Sequence, residues 1–145
     1  MFNIKVERTI DKPIDAVFEA LVDHANYQNF PGIKESKLLV QGEEDKNGKG
    51  ALRKINAGPM TLFERIIAFE RPHLMRYQIE HAEPLKFNHD YGEVKLTADG
   101  DKTHVVWTSK GSVKAFILGP LIFDPMMNAR GGSGFGAILK AIDRA

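Results

Sequence analysis

"FNIKVERTIDKPIDAVFEALVD", residues 2–23, changes its periodicity once, and that change decides the architecture. Phe2, Ile4 and Val6 alternate with Asn3, Lys5 and Glu7, the period-two pattern of a strand with one buried face. From Pro13 onward Ile14, Val17, Phe18 and Leu21 recur at helical spacing. Proline suits a first helical turn, where its missing N–H would have had no helical partner. "HANYQNFPGI" (24–33) continues as a second short helix or turn, which Pro31-Gly32 stops.

After this strand and helix pair, the spacing predicts six strands separated by turn signals. They are "KESKLLVQG", "GALRKINAG", "MTLFERIIAFE", "LMRYQIEHA", "FNHDYGEVKLTA" and "THVVWTSKGS". Asn47-Gly48 is a hairpin signal between the first two, and "DGDK" turns the last pair. A helical segment follows from about Lys114. An uninterrupted antiparallel meander has one face that needs covering, and only the last helix is long enough to cover it. The fold class is therefore α+β, in two layers.

At 145 residues, with 43% hydrophobic and 27% charged side chains, the chain reads as one globular domain spanning 1–145. Twenty basic and nineteen acidic residues are interspersed, so there is no electrostatic case for nucleic acid or for an anionic membrane. The absence of cysteine excludes disulfides, thiolate metal sites and thiol nucleophiles. The N-terminal stretch lacks a signal-peptide pattern and no apolar run reaches membrane-spanning length, so a cytoplasmic protein without membrane insertion is expected. No cofactor or metal is expected either. The histidines at 24, 73, 81, 89 and 104 fall at turns and strand ends without ligand spacing and read as surface or hairpin residues.

"VFEALVDHANYQNFPGI", "GKGALRKI", "MTLFERIIAFE" and "THVVWTS" together resemble the START-like and Bet v 1-like superfamily, in particular its polyketide cyclase/dehydrase-like group. The resemblance covers nearly the whole chain. It implies a helix-grip fold, a curved seven-stranded antiparallel sheet wrapped around a long C-terminal helix with two short helices after the first strand. It also implies a mostly apolar cavity between sheet and helix. A superfamily that hosts transporters, receptors and cyclases says little about chemistry.

The C-terminal helix departs from that pattern. Gly131, Gly132, Gly134 and Gly136 crowd its middle, and Pro125 precedes them. A phosphate-binding reading of these glycines fails, because no strand precedes them and no Gly-Lys-Ser/Thr word is present. Their low helix propensity predicts a bent or mobile segment between about Pro125 and Gly136. Regular helix should follow through "FGAILKAID", with Phe135, Ile138, Leu139 and Ile142 on one apolar face.

Arg53 and Glu64 are the sharpest candidates for a polar site. Arg53 shares a face with Ala51 and Ile55, and Glu64 shares one with Met60, Leu62, Ile66 and Ala68, on strands expected to be hairpin neighbours. Charges among apolar residues must be paired or bound. They read either as a handle orienting a ligand or as a structural ion pair. Tyr77 and Trp107 alternate with apolar residues and either line the cavity or pack its wall. Phe30, before Pro31-Gly32, either gates a cavity mouth or staples the helix end. Tyr91 and Asn88 are pocket-facing by resemblance, whereas strict alternation puts Tyr91 on the wet face with Glu93 and Lys95. Met126 and Phe135 are the cavity candidates of the last helix. Ser109, Ser112 and Ser133 sit in no nucleophile elbow.

The leading expectation is a protein that binds a hydrophobic or amphipathic small molecule (of lipid, polyketide or aromatic type) in an enclosed pocket of about 300–1,000 Å³. The alternatives are a polyketide cyclase/dehydratase-type enzyme using Glu64 and Arg53, and a non-catalytic interaction module with a filled core.

Overall fold

A computed structural model describes residues 1–115 and 118–145. The chain runs β1 (Phe2–Ile10), α1 (Ile14–Val22), a 3-10 turn (His24–Asn29), β2 (Glu35–Val40), β3 (Leu52–Asn56), β4 (Thr61–Glu70), β5 (Leu74–Glu83), β6 (Phe87–Asp99) and β7 (Lys102–Val113). A π-helical turn (Gly119–Phe123) then leads into α2 (Asp124–Arg144). The seven strands form one antiparallel sheet in the order β1-β7-β6-β5-β4-β3-β2. The fold is the expected one: a seven-stranded antiparallel sheet, a long C-terminal helix and short helices after β1.

Burial follows the periodicities. β1 buries Phe2, Ile4 and Ile10, and α1 buries Val17, Phe18, Leu21 and Val22. Bulges bend the sheet, with register shifts in the β2–β3, β4–β5 and β6–β7 pairs. The β4–β5 shift at Ile66/Ala68 carries a consequence: Phe69, not the expected Ala68, packs inward against the core. The β5–β6 ladder pairs Leu74–Tyr77 with Lys95–Gly92, and no pairing is recorded between the two strands beyond Tyr77.

Two expectations are corrected. Asn47-Gly48 does not make a two-residue type I′ hairpin turn, which needs positive φ at both central residues; no non-glycine residue among those described has one. Instead residues 41–51 fold back on themselves, with the Gly42 N–H donating to the Lys46 carbonyl and the Glu43 N–H to the Lys49 carbonyl. Arg71 pins this loop through Asp45 at 2.6 Å.

The second correction concerns the C-terminal segment. α2 is continuous from Asp124 to Arg144, glycines included, and the irregular turn precedes Pro125 rather than following it. Pro125 lies where the π-helical turn runs into α2, and without an N–H it cannot bond the carbonyls of that turn, which fits the irregular hydrogen bonding just before it. Of the four glycines, Gly131 has a packing reason. A Cβ at Gly131 would overlap the end of Ile4, whereas one at Gly134 would meet nothing within 4 Å. Part of the segment expected to be helical from Lys114, residues 116 and 117, lies outside the described residues. Among the described residues, no helix is long and apolar enough to cross a membrane.

Candidate functional site

A cavity of about 540 Å³ lies between the sheet and α2. Pro31, Pro59, Pro84 and Arg130 line it and are exposed, which marks the mouth; Arg53, Glu64, Tyr77, Trp107 and Ser109 line it and are buried, which marks the deep end. Between them the wall is apolar, from Phe2, Ile55, Leu62, Met127 and Ile138 among others. On α2 the lining positions Met126, Arg130, Gly134 and Ile138 follow four-residue spacing, one face of the helix. Gly134 leaves cavity volume where any other residue would place a side chain.

The deep end is built around Arg53. It stands opposite Glu64 in the β3–β4 register, and both are almost fully buried, at 1% and 4% exposure. Arg53 Nε donates to Glu64 Oε1 at 2.9 Å, and Nη2 lies 2.9 Å from the same oxygen. Glu64 Oε2 has no protein partner among the described residues. The guanidinium is also held between two rings, 4.8 Å from the Tyr27 centroid and 5.0 Å from that of Tyr77. Arg53 Nη1 donates to His24 Nδ1 at 3.2 Å, and His24 Nε2 lies 2.8 Å from the Asn47 carbonyl. That carbonyl only accepts, so Nε2 carries the ring proton and Nδ1 offers its lone pair to Arg53.

Burial sets the charge states. It pushes the Glu64 carboxyl up, while Arg53 beside it pulls the other way, and the balance is upward. Burial opposes the charge on Arg53, but Glu64 and the flanking tyrosines outweigh it and hold the guanidinium protonated. His24 falls to about 3, by burial first and then by the adjacent Arg53 cation. The contact at 2.9 Å makes Arg53 and Glu64 partners whose charges offset one another.

A second polar group adjoins the first. Trp107 Nε1 donates to the Tyr77 hydroxyl at 2.9 Å, and the indole stacks on Phe135 of α2 with centroids 4.2 Å apart and planes at 7°. His89 Nε2 lies 2.9 Å from Ser109 Oγ, and the His89 ring stacks on Tyr77. The Ile79 backbone N–H, in the stretch of β5 without a recorded β6 partner, donates to His89 Nδ1 at 2.9 Å. Burial holds His89 down at about 4 despite Asp90.

Arg53, Glu64, Tyr77, Trp107, Met126 and Phe135 therefore converge on one cavity. Phe30 and Tyr91 are not among its lining residues. Phe30 packs edge-on against Tyr27, with centroids 5.1 Å apart, and the residues that follow it shape the mouth instead. Tyr91 lies on the outer face between Arg76 and Lys110, 5.3 and 5.9 Å from its ring. The bulge between His89 and Tyr91 turns His89 inward and keeps Tyr91, like Lys95, facing out. Asn88 is exposed.

The family model described as polyketide cyclase / dehydrase and lipid transport matches residues 1–144. The chain belongs to that family. Within this polyketide cyclase/dehydrase and lipid transport fold, "GALRKI" supplies Arg53, "MTLFERIIAFE" supplies Glu64 and "THVVWTS" supplies Trp107 and Ser109. These three stretches meet at the deep end. No curated protein sequence matches the chain. Solved structures that share the fold include a START superfamily protein from Mycobacterium smegmatis, 12% identical with TM-score 0.79 over 99% of this chain and 95% of that one. The Zhui aromatase/cyclase of a Streptomyces species is 21% identical with TM-score 0.75 over 98% and 93%. A major latex-like protein from Panax ginseng is 15% identical with TM-score 0.63 over 79% and 80%.

Sequence patterning missed Ser109, Tyr27, His24 and His89 as parts of this site. Ser109 carried a usable signal, its alternation with Trp107 and Val105. The two histidines are not surface residues: His24 is fully buried and His89 is 6% exposed. Among the described residues, no group of three or more His, Asp or Glu side chains is placed to hold a metal ion.

Proposed function

We propose that this chain is a small-molecule-binding protein that holds an apolar or amphipathic ligand in the cavity under α2. The observation that carries this reading is the cavity itself. Its volume of about 540 Å³ falls within the usual range for ligand sites, and it joins an apolar wall to a few fixed polar groups at one end. A filled-core interaction module would not leave this space. Arg53 commits three of its five N–H groups to Glu64 and His24 and lies between two tyrosine rings, so its part is to hold Glu64 in place, and Glu64 Oε2 is the atom that meets a ligand's hydroxyl or N–H.

Native mass spectrometry of the purified protein, together with uptake of an environment-sensitive naphthalene dye, tests this. A retained hydrophobic compound or saturable dye uptake with Trp107 quenching supports the reading. Neither one, in folded protein, overturns it.

A second reading rests on one specific observation, a buried carboxyl pushed upward at the end of a cavity. It makes the chain a polyketide cyclase/dehydratase-type enzyme, with Glu64 exchanging a proton with the substrate and Tyr77 opposing the developing oxyanion. Turnover of an aromatic polyketide mimic that is lost in Glu64→Asp, whose shorter carboxylate retains the charge, would favour it over simple binding.

A further inference from the structure

Tyr77, Gly92 and Ser109 form one row across three strands, since Tyr77 pairs with Gly92 and Gly92 with Ser109. Gly92 carries no side chain, and the Tyr77 ring fills the space above it. The two hydroxyls of the row are thereby brought to the same stretch of cavity wall.

Each hydroxyl accepts one hydrogen bond from a donor with no choice of role. Indole nitrogen only donates, so the Trp107 Nε1–H occupies a lone pair of the Tyr77 oxygen. On the Ser109 side the role is set one bond further back. The backbone N–H of Ile79 donates to His89 Nδ1, which must therefore be the unprotonated nitrogen. His89 Nε2 then carries the proton and donates it to Ser109 Oγ. Both hydroxyls keep their own proton, and among the described residues neither has an acceptor for it. A hydroxyl that accepts one hydrogen bond becomes a better donor of the next.

We propose that Tyr77 and Ser109 form a two-donor subsite for a neutral carbonyl oxygen of the bound molecule, an inference that rests on the ligand-binding reading above. The charge balance selects a neutral group. Arg53 and Glu64 pair with each other, and His24 and His89 are held neutral by burial, so at the deep end a carboxylate would face Glu64 with no unpaired cation beside it among the described residues; Arg130, the other cation of the lining, stands at the exposed mouth. The same proton placement removes Ser109 from nucleophilic chemistry, because His89 gives a proton to Oγ and cannot take one. The ligand class is an apolar ketone, ester or quinone whose carbonyl reaches the deep end.

The test compares 2-acetylnaphthalene with 2-ethylnaphthalene, probes of nearly equal shape that differ in one carbonyl. Affinity is read from quenching of Trp107, the only tryptophan, and bonding from the infrared carbonyl stretch of the bound acetyl probe. Wild-type protein is expected to prefer the acetyl probe by about tenfold or more and to shift its stretch below the value in alkane solvent. Ser109→Ala and Tyr77→Phe should each weaken the acetyl probe by about three- to tenfold and leave the ethyl probe unchanged. A wild-type stretch at the alkane position overturns the subsite, and needs no variant to fold. Equal affinities for the two probes, or equal losses for both in the variants, overturn it as well while leaving the binding reading intact. Failure of both probes to bind overturns the two readings together.

Discussion

The ring of Tyr77 stands where a side chain on Gly92 would have to be: a Cβ built at Gly92 falls among the ring carbons. Tyr77 is anchored at its hydroxyl by Trp107 and flanked by Arg53 and His89, so it cannot give way alone. Gly92→Ala is therefore expected to destabilise the fold by about 1–3 kcal/mol, the usual cost of overpacking. It should also shift the near-ultraviolet signal of Trp107 through the broken hydrogen bond. Chemical denaturation and near-ultraviolet circular dichroism check both outcomes.

Arg53 and Glu64 should be strongly coupled. Glu64→Gln leaves a buried guanidinium without its anion, and a loss of about 3 kcal/mol or more is expected even though the side chain keeps its shape. Replacing both residues with apolar ones, Arg53→Met with Glu64→Leu, should cost clearly less than the sum of the single changes. A double-mutant cycle in urea measures the difference. Additive losses would show that the pair contributes nothing as a pair.

Stability should fall in mild acid, and His89 supplies a defined part of that fall. The unfolded chain protonates this histidine near 6.5, whereas the folded protein withholds the proton until about 4. The unfolded state thus binds more protons between those values, and stability drops as pH is lowered from 6.5 to 4, by about 1.4 kcal/mol per pH unit. His24 acts in the same sense, and Glu64, with its carboxyl raised, in the opposite sense. Both cancel when His89→Gln is compared with wild type. Glutamine can accept from Ile79 and donate to Ser109, so the variant should fold and show a shallower pH slope. Parallel stability–pH curves would contradict the assignment.

Gly134→Leu should separate stability from binding. Its Cβ meets nothing within 4 Å and its φ is not in the left-handed region, so helix propensity alone favours the leucine by about 0.5–1 kcal/mol. The side chain enters the cavity, and dye uptake should fall at least tenfold while the melting temperature rises. Undiminished uptake would place the ligand elsewhere.

Strands, helices and the Arg53–Glu64 pair were legible because each depends on local periodicity and on the pairing of neighbouring strands. Two apolar-flanked charges on consecutive strands of a hairpin have few places to go. The His89–Ser109 group was not legible. Its geometry needs the bulge at Asp90, which turns His89 inward, and an Ile79 N–H with no β6 backbone partner; neither leaves a mark in the residue pattern. Helix propensity misplaced the irregular segment of the C-terminus. It weighs glycines one by one, whereas here one is needed for close approach to Ile4 and another for cavity space. For Tyr91, simple alternation placed the ring on the outer face where it is found, and the family analogy did not.

The polar anchors of α2 all lie along one of its sides. Asp124 accepts the Val113 N–H at 2.8 Å, Asn128 accepts the Asn3 N–H at 2.7 Å, Asp143 accepts from Arg8 and the Asp11 N–H, and the C-terminal residue meets Lys12. Every one of these partners belongs to β1, the turn after it or the end of neighbouring β7, at one edge of the sheet. Toward β2, β3 and β4, α2 makes no hydrogen bond among the described residues, and the cavity lies between. Mechanically this is a cover fastened along its spine. Lifting its free margin breaks no hydrogen bond among the described residues and parts a wall that is mostly apolar, so the work of lifting follows chiefly the temperature dependence of hydrophobic hydration. The mouth lined by Pro31, Pro59 and Pro84 lies on that free margin.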